Sequence, residues 1–251
     1  MKGNFIMTRN IRTIIRLSLI ASSAFLSQAA DTTIEQMPAK LETQYALSAL
    51  PQAMRDHATV YLLDPKKGYQ LSQQGTSGAT CLVERTAWEQ ADFRNDIYVP
   101  LCYDAEGSKT YLKVIMDVAA LRIQGMSPVA LKTEIERRYK NKTYKIPQKT
   151  GLSYMVAPVM RTWMMPDWQV HTMPMPHLMF YAPNMTNEGI GAVPNSSLLY
   201  PFVFKEGIAE QSYMIQLIGA AEKAKILADE KTLLHDLCSY RDFLCVPGMK
   251  H

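Results

Sequence analysis

The chain has 251 residues and carries 27 Lys and Arg against 23 Asp and Glu. The whole basic excess belongs to the first 29 residues, which contain Lys2, Arg9, Arg12 and Arg16 and no acidic residue. The remaining chain is therefore charge-balanced, which gives no reason to propose a nucleic acid or an anionic membrane as partner. Its length is sufficient for one domain with a sizeable core.

Residues 1–29 have the organisation of a secretory signal peptide. The arginines precede an apolar run at 17–26, and small residues, Ser27 and Ala29, precede the expected cleavage point. The run is too short to cross a bilayer, and no later segment approaches 18 apolar residues. We therefore expect cleavage after Ala29 or Ala30, a mature domain over 30–251 without a transmembrane segment, and a periplasmic or secreted location.

All four cysteines lie in the predicted mature domain, at Cys81, Cys102, Cys238 and Cys245. An even number of cysteines in an exported chain indicates disulfides, and the absence of a C-x-x-C motif disfavours a metal or redox site. Four cysteines allow three connectivities. We expect the two local pairs, Cys81–Cys102 and Cys238–Cys245, because each closes a short segment.

The first part of the mature chain alternates helix and strand signals. Residues 43–57 predict a short helix broken by Pro51. Three β-rich runs at 58–63, 69–73 and 79–83 are separated by turns rich in Pro and Gly, which predicts an antiparallel meander. Residues 97–99 predict a further short strand that ends before Pro100.

The remaining elements complete a mixed domain. Apolar spacing over 108–124 and a Ser127-Pro128 start over 127–141 predict a helical hairpin. Strands are expected at 153–157, 177–182 and 213–218, an irregular loop at 183–200, and a helix at 220–238. The sequence thus predicts a single α+β domain, with an antiparallel sheet, a helical hairpin and a C-terminal helix.

Three blocks carry a family resemblance: GTSGATCLVER at 75–85, CYDAEG at 102–107 and PHLMFYAP at 176–183. They resemble blocks of exported bacterial proteins of unassigned function, and the similarity spans most of the mature chain. The resemblance implies a bacterial envelope or secreted location. It implies no activity and no residue role.

The segment 150–191 holds eight of the sixteen methionines. His171, Met173, Met175, His177 and Met179 occupy odd positions, and prolines at 174 and 176 disfavour helix there. In an extended chain these five side chains would share one face. Thioether and imidazole ligands suit copper, so His171, Met173, Met175 and His177 form a candidate copper site. The same alternation is typical of a packed core face, because Met readily fills gaps.

A small-molecule pocket is a second possibility. Trp163, Trp168, Phe180, Tyr181 and Tyr200 are candidates to line a pocket closed by the loop at 183–200. The alternative interpretation is that these are core aromatic residues under a surface loop.

Catalytic motifs are weak. The chain lacks a G-x-S-x-G elbow and an H-E-x-x-H helix, although Ser153, Asp167 and either His171 or His177 could form a hydrolytic set. Cys81 with His177 is a further set, which a disulfide at Cys81 would abolish.

We expect a non-enzymatic domain that binds an unknown small molecule or envelope protein through residues 160–200. A copper-binding protein and a hydrolase without a recognisable motif are the alternatives.

Overall fold

The computed structural model describes residues 33–164, 166–192, 201–204 and 208–248, so the predicted signal peptide and Tyr200 lie outside the described residues. The described residues belong to one compact unit. Its strands are β1 (Thr59–Asp64), β2 (Gly68–Gln73), β3 (Thr80–Glu84), β4 (Val99–Tyr103), β5 (Leu152–Met155), β6 (Met160–Met164), β7 (Gln169–Met173), β8 (His177–Tyr181), β9 (Phe202–Phe204) and β10 (Tyr213–Leu217). Its α-helices are α1 (Ala39–Ser48), α2 (Tyr111–Ile123), α3 (Pro128–Lys140), α4 (Ala220–Asp229) and α5 (Lys231–Tyr240).

Eight of the strands form a mixed sheet in the order β2-β1-β3-β4-β5-β8-β10-β9, and β6 pairs with β7 in a separate two-stranded sheet. The expected α+β class is correct in its broad form. The large sheet is mostly antiparallel, but β1 and β3 pair in parallel, with Thr59 opposite Thr80. The predicted meander is therefore wrong at its third strand.

The connection between β2 and β3 explains the parallel pair. Thr76 and Ser77 donate their backbone N–H groups to the carbonyl of His57, so the chain crosses the start of β1 to reach its other side. At Gly75 a Cβ atom would lie 2.3 Å from the backbone of Ala58, a distance that no other residue tolerates. This close approach fixes the crossing point.

The centre of the large sheet is buried on both faces. Cys81 and Val83 pack in a cluster with residues of α1 and α5, and Cys102 of β4 joins them. Leu82 and Leu101 point the other way, into a cluster that includes residues of α2. This two-residue alternation is what strand geometry requires of a sheet between two helical layers.

Both predicted disulfides are present, Cys81–Cys102 and Cys238–Cys245, and no cysteine is free. Cys81 and Cys102 face each other directly on neighbouring strands β3 and β4. The bond therefore fixes the register of this pair of strands, because a slip by one residue would turn the two side chains to opposite faces.

The helical hairpin is confirmed. Gly125 has a φ of +86° after α2, and the Oγ atom of Ser127 accepts a hydrogen bond from the backbone N–H of Ala130 at the start of α3. The expected single helix at 220–238 is wrong, because the chain leaves helical geometry at Glu230 and forms α4 and α5. No helix among the described residues is long and apolar enough to cross a bilayer.

The bounds of the short strand expected at 97–99 are wrong, since β4 begins only at Val99 and continues through Pro100 to Tyr103. Pro100 lies opposite Val83 of β3, whereas the pairing of β4 with β5 involves only Cys102 and Tyr103. The missing N–H of proline therefore costs no ladder bond on the β5 side.

The strand β2 forms one edge of the large sheet. Its residue Leu71 is 51% exposed. Val60 and Tyr61 of β1 pair with Gln73 and Leu71, so the register passes over Ser72. An extra residue of this kind is a β-bulge, which bends and twists the strand that carries it.

Candidate functional site

The five odd-position residues do not share one strand. His171 and Met173 lie in β7, Met175 lies in the connection that follows, and His177 and Met179 lie in β8. β7 and β8 belong to different sheets, so the expectation of one continuous face is wrong.

The histidine of β8 is a core residue. His177 is only 2% exposed, and its Nδ1 atom lies 2.7 Å from the carbonyl oxygen of Met175, to which it must donate. Burial lowers the pKa of His177 from its ordinary value. The ring is therefore neutral and its orientation is fixed by the backbone.

Of the described aromatic residues of the expected pocket, Tyr181 and Trp163 contribute to one apolar cluster, whereas Phe180 and Trp168 do not join it. Phe180 and Tyr181 are neighbours on β8 and point to opposite faces of the sheet. The hydroxyl of Tyr181 lies 2.8 Å from the carboxylate of half-buried Asp104 and 2.8 Å from the carbonyl oxygen of Leu152. Trp163 is half-buried in β6, whereas Trp168, in the β6–β7 turn, is 47% exposed.

The hydrolytic set is not assembled either. Ser153 is fully buried, and its Oγ atom makes no hydrogen bond with any other described residue. Asp167 accepts a hydrogen bond from His171, not from His177. Cys81 is in a disulfide and offers no thiol.

Backbone hydrogen bonds and ion pairs attach the β6–β7 hairpin to the rest of the domain. Arg161 of β6 exchanges two backbone hydrogen bonds with Tyr98, and its Nη2 atom lies 2.5 Å from Asp96. Asp96 also accepts two hydrogen bonds from Arg94. Burial alone would raise the pKa of Asp96, but the two arginines outweigh it and lower that pKa. Thr172 of β7 donates to the carbonyl of Phe243.

At the tip of the hairpin, the Oδ2 atom of Asp167 lies 2.8 Å from Nε2 of His171. Asp167 also accepts from the backbone N–H of Gln169. These two bonds, that of Gln169 first, lower the pKa of Asp167. The carboxylate is therefore ionised and can only accept, so Nε2 of His171 carries the proton.

A cleft of about 390 Å³ opens on another part of the molecule. One wall comes from α1 and the 3₁₀ turn that follows it, and the other from the junction of α4 and α5. Its lining consists of Gln44, Leu47, Gln52, Arg55, Asp56, Asp229, Glu230, Thr232, Leu233 and Asp236. This volume lies within the range of sites that hold small molecules.

An ion pair joins the two walls of the cleft. Nη1 of Arg55 lies 2.6 Å from Oε1 of Glu230, at the break between α4 and α5. The same guanidinium donates to the carbonyls of Ser48 and Leu50 at the end of α1. Arg55 thus satisfies carbonyl groups that a helix end leaves without partners. The charge of Arg55 therefore serves to join α1 to the α4–α5 junction.

Four of the lining residues carry carboxylates, and two of these are already paired with a cation. Glu230 is paired with Arg55, and Oδ2 of Asp229 lies 2.5 Å from Nζ of Lys225, which leaves Asp56 and Asp236 as the acidic groups of the cleft outside these two pairs. Leu47 and Leu233 supply an apolar part of the wall. The cleft therefore favours a ligand with a positive charge and a short apolar portion.

Sequence reasoning missed this cleft because its walls are more than 170 residues apart in the chain. The one available signal was the row of acidic residues 229, 230 and 236 on a segment expected to be a single helix. The break at Glu230 lies where Arg55 forms its ion pair, and no glycine or proline marks it in the sequence.

Comparisons of the chain with protein-family models, with curated proteins and with solved structures found no match.

Proposed function

We propose that this protein is an exported, non-enzymatic binding domain whose cleft between α1 and α5 takes a small organic cation. The observation that carries the proposal is the cleft itself, which combines a volume of about 390 Å³ with four carboxylates, of which Glu230 and Asp229 are paired with Arg55 and Lys225. The predicted leader and the two disulfides support export, since disulfides persist in oxidising compartments.

The cleft is a better candidate than the 160–200 region as a small-molecule site. In that region Phe180 and Tyr181 face opposite sides of the sheet and Trp168 is exposed in a turn, whereas the cleft residues line one volume. The wall that carries Asp236 belongs to α5, which the Cys238–Cys245 disulfide ties to the following turn. A pre-formed wall reduces the ordering that binding would require.

The test is a thermal-shift and calorimetric titration of the oxidised mature protein with arginine, agmatine and spermidine. Citrulline, which has the shape of arginine without its charge, is the matched neutral probe. At a hundredfold excess over Kd, a ligand specific to the native state stabilises it by about 2.7 kcal/mol, which is a clear rise in Tm. We expect such a rise with at least one cation, smaller at high salt because the cleft is open to screening.

Two variants assign the effect to the cleft. Asp56→Asn combined with Asp236→Asn should weaken cation binding about tenfold, because it removes two charges without changing shape. Glu188→Gln, at an exposed position outside the cleft, should leave it unchanged. Equal responses to arginine and citrulline, or an undiminished response in the double variant, would refute the proposal.

A further inference from the structure

One face of the β6–β7 hairpin gathers the soft side chains that the sequence had placed on a single strand. The register pairs Met160 with Met173, Thr162 with His171, and Met164 with Gln169. Directly paired residues lie on the same face of a ladder, so Met160, Met164, His171 and Met173 share one face, with His171 at its centre. Two of these four residues, Met160 and Met164, come from a strand that was not expected.

The distances of a two-stranded ladder suit a common ligand. Paired Cβ atoms are about 5 Å apart and diagonal neighbours about 7 Å. Met160 and Met164 are the two diagonal neighbours of His171, and Met173 is two residues along its own strand. The long thioether side chains can therefore reach a point above the imidazole from three sides.

The imidazole is already oriented for a metal. Because Nε2–H of His171 is held by Asp167 at 2.8 Å, the lone pair is on Nδ1. A carboxylate that holds the second nitrogen of a histidine is the usual arrangement around metal-bound histidines, where it fixes the tautomer. A role in core packing explains buried methionines but gives no reason for this pair.

Solvent exposure increases along this face of the hairpin from Met160 to His171. Met160 is buried, Met164 and Met173 are half-buried against the apolar cluster, and His171 is exposed. A metal ion can enter from the solvent side and rest against apolar side chains. Thioether sulfur prefers Cu(I) among the biological first-row metals.

We propose that this hairpin face binds one Cu(I) ion through Nδ1 of His171 and the thioethers of Met160, Met164 and Met173. This set differs from the one read along the chain, since it excludes Met175, which lies between strands, and His177, which is buried in the other sheet. The site is independent of the α1–α5 cleft.

The experiment is an anaerobic titration of the mature protein with Cu(I), in competition with a chromogenic Cu(I) chelator. We expect one equivalent to bind. His171→Ala with Met173→Leu should lower the affinity at least a hundredfold, and Met160→Leu or Met164→Leu alone about tenfold. Asp167→Ala, which frees the ring, should cost between ten- and a hundredfold. Leucine is close to methionine in volume, so the core is preserved.

The controls separate this site from a general affinity of methionine and histidine for copper. Met185→Leu with His235→Ala, at exposed positions outside the hairpin, should bind as the unaltered protein does. Met175→Leu and His177→Gln should do the same. NMR of labelled methionine methyl groups with Ag(I), a redox-inert analogue, should shift Met160, Met164 and Met173. The proposal is overturned if no Cu(I) binds stoichiometrically, if the exposed pair weakens binding equally, or if Met175→Leu and His177→Gln abolish it.

Discussion

At the level of single residues, Glu42 is the most unusual group in the described chain. This residue of α1 is 2% exposed, and its Oε1 atom accepts a hydrogen bond from the backbone N–H of Leu63. Burial raises the pKa of Glu42 to about 7, although the Leu63 N–H and the charge of Arg85 lower it. The contact between α1 and β1 therefore contains a carboxyl group that is half-protonated near neutrality.

The stability of the fold should fall as the pH rises through this range. In the unfolded chain Glu42 loses its proton near 4.5, but in the folded protein only near 7. The folded state thus holds the extra proton between these values, and the stabilisation is complete below 4.5 and lost above 7. One pKa unit is worth 1.36 kcal/mol, so the span amounts to roughly 3 kcal/mol.

Urea unfolding between pH 4.5 and 8 measures this effect. Glu42→Gln cannot ionise, so its stability should vary less over that range and exceed that of the unaltered protein at pH 8. Glu188→Gln, at an exposed site, serves as the control. Parallel pH profiles for the unaltered protein and Glu42→Gln would show that Glu42 is not the titrating group.

At the level of elements, the β6–β7 hairpin depends on its anchors. An isolated two-stranded hairpin is marginally stable in water. Here Asp96 links Arg94 and Arg161, while Thr172 reaches the carbonyl of Phe243 in the C-terminal turn. The same anchors support the face on which His171 lies.

Asp96→Asn should loosen the hairpin. The substitution removes the carboxylate that the partly buried guanidinium groups of Arg94 and Arg161 share, which costs roughly 3 kcal/mol. Hydrogen exchange should accelerate at the β6 and β7 amides more than in β3. Lys113→Gln, which breaks an exposed ion pair on α2, should change stability by less than about 1 kcal/mol. Uniform acceleration across both sheets would contradict the anchoring role.

The prolines at 174 and 176 explain why the sequence predicted the extended conformation of this region but not its division into two strands. They indicated an extended segment, and the segment is extended on either side of them. Proline has no N–H to give to a ladder, however, so the same residues end pairing after Met173 and allow it to resume at His177. The two prolines that suggested one continuous extended segment therefore also mark the boundary between β7 and β8.

At the level of the whole molecule, the sequence predicted the local elements but not the contacts between residues distant in the chain. The spacing of apolar residues and the caps located α2 and α3 correctly, because those signals are local. The parallel β1–β3 pair is reached through the close backbone approach at Gly75, and the two walls of the cleft meet at the ion pair of Arg55 with Glu230. Neither contact leaves a periodic signal, since each joins single residues distant in the chain.

The two disulfides should stabilise the molecule unequally. They close segments with sequence separations of 21 and 7 residues. Loop-closure entropy then gives about 3 kcal/mol for Cys81–Cys102 and about 2 kcal/mol for Cys238–Cys245.

Chemical denaturation of the two paired variants, Cys81→Ala with Cys102→Ala and Cys238→Ala with Cys245→Ala, measures both values. The central pair should lose more, also because its bond fixes the β3–β4 register. A larger loss from the C-terminal pair would contradict the entropic account.

The bulge at Ser72 has a consequence for how molecules meet in concentrated solution. The strand β2 carries no charged residue and no proline, the usual protections of an open sheet edge against a neighbouring strand. The register on its inner side is regular from Gly68 to Leu71 and is interrupted at Ser72. A second strand that approaches this edge would therefore find only about two-thirds of β2 in regular geometry for backbone pairing. A fibril that grew from this edge would have to bend at each added molecule.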